Sequence, residues 1–459
     1  MDREIEQKKE PDTTLSSRAI GGGLWSSTSN WLLKGTTALS LVITLKYLTV
    51  YEYGVVQLIL SLFSIGVLFN LSAFHDLMVA ELGIAKSGSA SRLRGLFETF
   101  LKAQSLFSVI LWALFFFGAP IIHVYLTTLN VEHIRIMSLL FLLSPVREAI
   151  QLLFNIELQF KELAMFSVYE QVSRLVALVV GLELLQGRIG AVLWATIISQ
   201  VVALTLVTPA FLRVYKPLRE FVADKISILE ILLHQGKWAL LVTYVSNLNK
   251  NIRVWIIQRL IGTEAVALYS VAANIFGHTR SILPIAEVVT PIIPQYLATR
   301  DKLAIIVNKA LKYSLMGYVL LGIVAFFFFP PIIKLLFPNY TNSIPLYQIM
   351  LLGLLAHSLV IIVTPVFYTF RKQRSLFFAY TRRIILTIIF LPTCVYLFGG
   401  VGLAIEFVLT SIIFTLDRYY IARRFFPEMR LSWQNISNYD SYDKVFTLRI
   451  KDLLFKKIL

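Results

Sequence analysis

About twelve apolar segments, each long enough to cross a bilayer, follow one another along the chain. They lie near 20–46, 54–74, 97–122, 134–158, 163–185, 189–212, 236–259, 265–288, 310–336, 343–368, 376–398 and 402–422. A hydrocarbon core about 30 Å thick is spanned by about 20 helical residues. A soluble fold of 459 residues has too little interior to hide a chain that is 57% hydrophobic and only 15% charged. Lipid is therefore the natural solvent, and the expected class is an all-α polytopic membrane protein. Residues 1–18 are polar and lack the apolar stretch and small-residue cleavage site of a signal peptide. The single cysteine, Cys394, excludes an intramolecular disulfide and a thiolate metal cluster. No cofactor or metal motif stands out.

The connections between spans alternate in character. Those after even-numbered spans carry most of the base: Lys86, Arg92 and Arg94; Lys161; Arg213, Lys216, Arg219 and Lys225; Arg300 and Lys302; Arg371, Lys372 and Arg374. Those after odd-numbered spans, such as TVYEYG (49–54), FPNYTNS (337–343) and FGG (398–400), are short and nearly bare. The positive-inside rule makes the basic loops cytoplasmic and, with an even span count, puts both termini inside. The net charge of +16 is thus explained by topology and does not call for nucleic acid.

The chain also repeats itself. PIIHVY from Pro120 recurs as PIIKLL from Pro331, GRIGAV from Gly187 as GGVGLA from Gly399, and GLW ending at Trp25 as GKW ending at Trp238. Three echoes nearly in register indicate duplication of a six-span unit. Six is even, so both copies enter the membrane in the same sense and are related by an axis along its normal, the parallel-repeat arrangement. The expected organisation is a cytoplasmic segment 1–18, a six-helix bundle 19–213, a linker 214–235, a second bundle 236–423 and a basic tail 424–459.

Against this frame, charges at membrane depth become informative. Lys34 lies in the first span, about 15 Å from either end, where a lone ammonium costs at least about 2.5–3.5 kcal/mol. Ser27, Asn30, Lys34 and Thr37 form one polar stripe, and the duplicate span supplies Thr243, Asn247 and Lys250, with Arg253 a turn further. If the halves enclose a cleft, these groups face it from opposite sides. Further candidates are Arg147 with Gln151 and Asn155, Glu170 with Arg174, and Asn274, His278, Arg280 and Glu287. A cationic cleft suits a phosphate-bearing substrate, because lysine offers point charge and arginine a forked pair of hydrogen bonds. Glu287, Glu170 and Asp417 are the candidates for binding a coupling ion. The alternatives are structural: Lys34, Lys250 and Arg253 bonded to carbonyls or to an acid on a neighbouring helix, Glu170 and Arg174 as an intrahelical pair, His278 as a packed polar residue. Lys46, Lys102, Arg259 and Arg382 are expected to snorkel. Trp25, Trp31 and Trp238 can stack on sugars or flank lipid.

The opening GLWSSTSNWLLKGTTALSLVITLKYLTVYEYGVVQLILSLFS resembles the first two helices of the polysaccharide-biosynthesis flippases. These are O-antigen and lipid-linked oligosaccharide translocases of the multidrug/oligosaccharidyl-lipid/polysaccharide (MOP) exporter superfamily. RLIGTEAVALYSVAANI (259–275), PPIIKLLFPNYTNSIPLYQIMLLG (330–353) and the GRIGAV/GGVGLA turns extend the likeness over residues 20–425. The resemblance implies a 6+6 helix fold, two bundles forming a V, and alternating access to a cationic lumen. It also implies a polyprenyl-(pyro)phosphate-linked glycan as substrate, moved across the cell membrane from the cytoplasmic to the outer leaflet. The site residues match only in the presence of lumen cations on helices 1 and 7. The lipid-II branch adds two C-terminal helices, whereas here about 36 polar-amphipathic residues follow the last span.

Rival functions are less consistent with the residues. A cation-coupled drug antiporter of the same fold is expected to carry a carboxylate in its first helix, and residues 20–46 hold no acid. A membrane glycosyltransferase needs a sizeable outer loop with acids or histidines; Glu132 and His133 are the only such cluster. An ATP-driven pump needs a phosphate loop, and the chain has none. In the tail, FTLRIKDLLFKKIL (446–459) segregates Phe446, Ile450, Leu453, Leu454 and Ile458 from most of its base, as a helix on anionic membrane lipids or on a glycan-assembly enzyme would. Asn339 lies in a glycosylation sequon on an expected outer loop, and Asn435 in one on the inside.

Overall fold

The computed structural model describes residues 32–224, 237–297 and 299–430, all helices and turns with no strand among them. Residues Ser27, Asn30, Trp25 and Trp31, part of the linker, and the tail beyond 430 with its amphipathic stretch and Asn435 lie outside the described residues. The first half comprises α1 (32–47), α2 (Val50–Leu68), α3 (His75–Gly88), α4 (Ala90–Tyr125), α5 (Val131–Ile156), α6 (Phe160–Val179, prolonged by a π turn Val180–Leu184) and α7 (Arg188–Leu218). The second comprises α8 (Lys237–Leu260), α9 (Thr263–Arg280), α10 (Ile285–Gln295), α11 (Arg300–Leu336), the bent pair α12 (Ser343–Met350) and α13 (Gly353–Thr369), α14 (Gln373–Phe398) and α15 (Gly402–Phe425).

Local chemistry sets the helix starts. Thr49 and Glu52 form a reciprocal capping box at the head of α2, and Ser89 and Asn130 cap α4 and α5 through their side-chain oxygens. The order of elements repeats: α2 and α9 begin 213 positions apart, at Val50 and Thr263, and both are followed by a short helix, α3 or α10. Those short helices correct the expected spans 54–74 and 265–288. The second of these stops at Arg280, because Pro284 cannot continue the hydrogen-bond ladder and stands at the cap of a separate helix. Glu287 therefore sits on α10, on a different element from Asn274, His278 and Arg280; its side chain lies outside the described residues.

Among the described residues seven stretches are long and apolar enough to cross a membrane, eight with the bent pair α12–α13. This is a multi-pass membrane protein. One of the seven, Gln373–Phe425, holds two helices turned at Gly399, which has φ +59°. The count falls below twelve because only residues 32–47 of the first expected span are described, because α14 and α15 form one continuous stretch, and because α8 and α9, which carry Lys250, Arg253, Arg259 and Arg280, are poor spans by hydropathy. The long apolar helices α4 and α11 face outward. Only 17% of the apolar window of α4 and 11% of that of α11 is buried, and Phe117, Ile121, Phe327 and Phe328 are exposed along them, as lipid-facing side chains must be.

The halves meet where α2 packs against α8 and α9, and the contact is sealed at the end bearing the short loops. The Tyr340 hydroxyl donates to the carbonyl oxygens of Leu48 (2.9 Å) and Thr49 (3.1 Å), and its ring meets Tyr53 edge-on. Asn274 donates to the Tyr53 hydroxyl at 3.0 Å, and Gln258 to Thr128 at 3.2 Å. Gly54 is the closest point of approach: a methyl group there would overlap the Thr263 carbonyl oxygen, which is backbone and cannot swing aside. Gly54→Leu is accordingly expected to force the halves apart at this end. Cysteines placed at Thr128 and Gln258 should crosslink readily in the parent and poorly in the variant; equal crosslinking would refute the packing.

Candidate functional site: a cationic cavity between the halves

A cavity of about 540 Å³ begins one turn beyond the Tyr53 seal. Gln57, Ser61 and Ser64 of α2 form one wall, and α8, α9, α13, α14 and α15 form the rest. Among the described residues four cations line it, Lys250, Arg253, Arg280 and Arg383, and no carboxylate does. Their placement follows from helical spacing: Lys250 and Arg253 are i, i+3 on α8, and Arg280 ends α9.

The four are not equivalent. Arg253 is buried and held by Glu406 of α15 through two parallel bonds, Nε–Oε2 at 3.0 Å and Nη2–Oε1 at 2.9 Å. Thr387 and Thr410 accept weaker bonds from Nη2, and the guanidinium lies over the Phe407 ring. Its charge is neutralised on site. Arg383 stacks on Phe414 and donates to Ser411 Oγ at 3.2 Å. Lys250 and Arg280 make no side-chain hydrogen bond or ion pair among the described residues and are open to the cavity. These two, with Arg383, which has no carboxylate partner among the described residues, supply its uncompensated charge.

The other expected site residues fall elsewhere. Lys34 is half-buried and donates to the Ser281 carbonyl at 2.8 Å, at the C-terminal end of α9, where backbone carbonyls and the helix dipole favour a cation. The bond ties the first half to the second, and Lys34 is not among the cavity-lining residues. Asn247 lies one turn before Lys250 and contributes its carbonyl to Asn251. Arg147 grips Glu170 of the adjacent helix with two bonds of 3.1 Å, so Glu170 pairs across helices. Arg174 is left with a buried Nε that lacks a partner. Asp417 pairs with Arg382 at 2.6 Å. Trp238 packs against Phe377 and Phe378, with Arg374 over its face.

Sequence reasoning missed Glu406, Arg383 and Arg418. Arg383 adjoins Arg382, which faces outward, and a single residue step turns a helical side chain by about 100°. Glu406 stands in the second turn of α15, 153 positions from its partner, and no periodicity links such residues.

A family model for polysaccharide biosynthesis proteins matches residues 46–340, well over half of the chain. The chain belongs to that family. No curated protein matches it. Among solved structures, an inward-facing multidrug-resistance MATE family transporter of the MOP superfamily is similar with a TM-score of 0.73 at 15% identity, over 86% of this chain and 95% of that one. The lipid II flippase MurJ, in an inward closed conformation, is similar with a TM-score of 0.66 at 14% identity, over 87% of each chain. A MOP-superfamily transporter from Pyrococcus furiosus, whose binding pocket is described as reversed in polarity, is similar with a TM-score of 0.51 at 14% identity, over 85% of this chain and 99% of that one. This family member thus has the all-α, MATE-like fold that its duplicated sequence leads one to expect.

Proposed function

We propose that this protein is a flippase that moves a polyprenyl-(pyro)phosphate-linked oligosaccharide from the cytoplasmic to the outer leaflet of the cell membrane by alternating access. The observation that carries this reading is the cavity lined, among the described residues, by four cations and no carboxylate, two of those cations making no side-chain hydrogen bond or ion pair there. Uncompensated charge at membrane depth is costly, and a phosphate group repays it. Lys250 and Arg280 hold the phosphate, and Glu406 braces Arg253 so that the wall keeps its shape. Membership in the polysaccharide biosynthesis family supports a glycan as the cargo.

Topology supports the direction. The basic loops are the cytoplasmic ones, and both termini are inside. The contacts of Tyr340, Tyr53 and Gln258 then close the outer end and leave the cavity accessible from the cytoplasm. An apolar groove of about 680 Å³ shares His357 and Val360 with the cavity and runs past Pro294, Ile361, Pro365 and Tyr368. It gives the prenyl tail a route to lipid while the phosphate stays on the cations. Lys34, bonded to the end of α9, acts as a tie between halves that must break when they rock. No observation favours the cation-coupled antiporter, whose ligands would meet like charge in this cavity.

Reconstituted proteoliposomes decide between the two. A fluorescent prenyl-diphosphate-linked oligosaccharide should equilibrate between leaflets, and a cationic dye should not be extruded under a proton or sodium gradient. Dye transport without glycolipid movement would overturn the reading.

A further inference from the structure

Arg418 of α15 is 0% exposed, yet its guanidinium is only partly bonded. One nitrogen donates to Thr364 Oγ1 at 2.5 Å and the Tyr380 hydroxyl lies close by, while Nε and Nη1 are buried with no hydrogen-bond partner. Aromatic rings wall it in: its central carbon is 5.0 Å from the centroid of Phe414 and 5.7 Å from those of Phe367 and Tyr380. Arg383 stacks on the same Phe414 at 4.7 Å, and its Nε is likewise buried without a partner.

Nearby carboxylates are committed elsewhere. Asp417, next in sequence to Arg418, turns to Arg382, and Glu406 is taken by Arg253. Neither Arg383 nor Arg418 has an ion-pair partner among the described residues. The rings offset part of the charge through cation–π attraction. They do nothing for three orphaned donors, whose lost hydrogen bonds to water are not replaced. Water could accept those hydrogen bonds and would leave the charge. An anion answers both requirements. Because the walls are packed rings and Arg418 does not line the cavity, the anion must be small.

We propose that Arg418 and Arg383 bind a buried inorganic anion, chloride in the cell, in the wall of the second half. Arg383 also lines the cavity, so the site lies in the wall beside the Lys250–Arg280 locus, while Arg418 stands behind that wall. The bound ion neutralises Arg383 and Arg418 and leaves Lys250 and Arg280 free to receive a larger anion.

The test uses the purified full chain in lipid nanodiscs, with gluconate exchanged for chloride or bromide at constant ionic strength while thermal unfolding is followed. Wild type should show a saturable rise in Tm with either halide; R418M should lose that rise, and K250A should keep it. A wild type indifferent to halide would refute the site. So would a dependence that persists in R418M and disappears in K250A, since the ion would then lie in the open cavity; the flippase reading would survive that result. If R418M does not fold, anomalous scattering from wild-type crystals grown in bromide takes its place. A peak between Arg418 and Arg383 supports the proposal, and a peak only beside Lys250 and Arg280 overturns it.

Discussion

Glu406→Ala is expected to destabilise the folded protein by about 3–5 kcal/mol, the cost of leaving a buried guanidinium without its carboxylate. The side chains of Arg253 and Glu406 are 6% and 0% exposed and joined by two short parallel bonds. Removing one partner strands the other in a medium where an unpaired charge is poorly solvated. Removing both is a different matter. Arg253→Met combined with Glu406→Leu takes away the charges and their desolvation cost together, and should recover most of the lost stability. Thermal unfolding of the three variants in one detergent makes the comparison. Glu406→Ala should melt far below wild type, and the double variant should fall close to wild type. An unaltered Glu406→Ala would mean that the pair is hydrated and open, and the account of a braced cavity wall would fail with it.

The two halves of that ion pair were unequally legible. Arg253 stood out because an arginine in an apolar span must be compensated. Its partner lay on a helix distant in sequence, and a carboxylate near the head of α15 looks like an interfacial residue until the fold places it opposite Arg253. Lys34 followed the same logic: the need for a partner could be read, but the Ser281 carbonyl that meets it is 247 positions away. The stripe containing Lys34 and the stripe containing Lys250 are equivalent by duplication, yet only Lys250 lines the cavity. Duplication sets the path of the backbone. Among the described residues the lining is asymmetric, with α2 alone representing the first half along it. The breaks at residues 68–75 and 280–285 were harder, since apolar character continues through both. Pro284 marked the second, and its meaning depended on treating it as a stop within an otherwise acceptable span. The order of spans and the repeat were fully legible, because lipid imposes on helix length and composition a rule that sequence alone displays.

The second large effect concerns transport. Lys250 and Arg280 make no side-chain hydrogen bond or ion pair among the described residues, so removing them strands no carboxylate there and should leave the fold intact. Each charge-assisted contact to a phosphate is worth about 1.5–3 kcal/mol, so losing one weakens the hold on substrate by about tenfold or more. Losing both should leave little flipping at substrate concentrations that serve wild type. Replacing Lys34 or Glu170, which are engaged with other parts of the protein, should act through the equilibrium between conformations.

The most direct measurement is the rate at which a fluorescent prenyl-diphosphate-linked oligosaccharide crosses from one leaflet to the other in proteoliposomes. It should compare wild type with the Lys250→Ala/Arg280→Ala double variant at matched reconstitution and confirmed thermal stability. The cationic-cavity account predicts a folded double variant whose flipping is slowed by about a hundredfold. A double variant that folds and flips at the wild-type rate would contradict it.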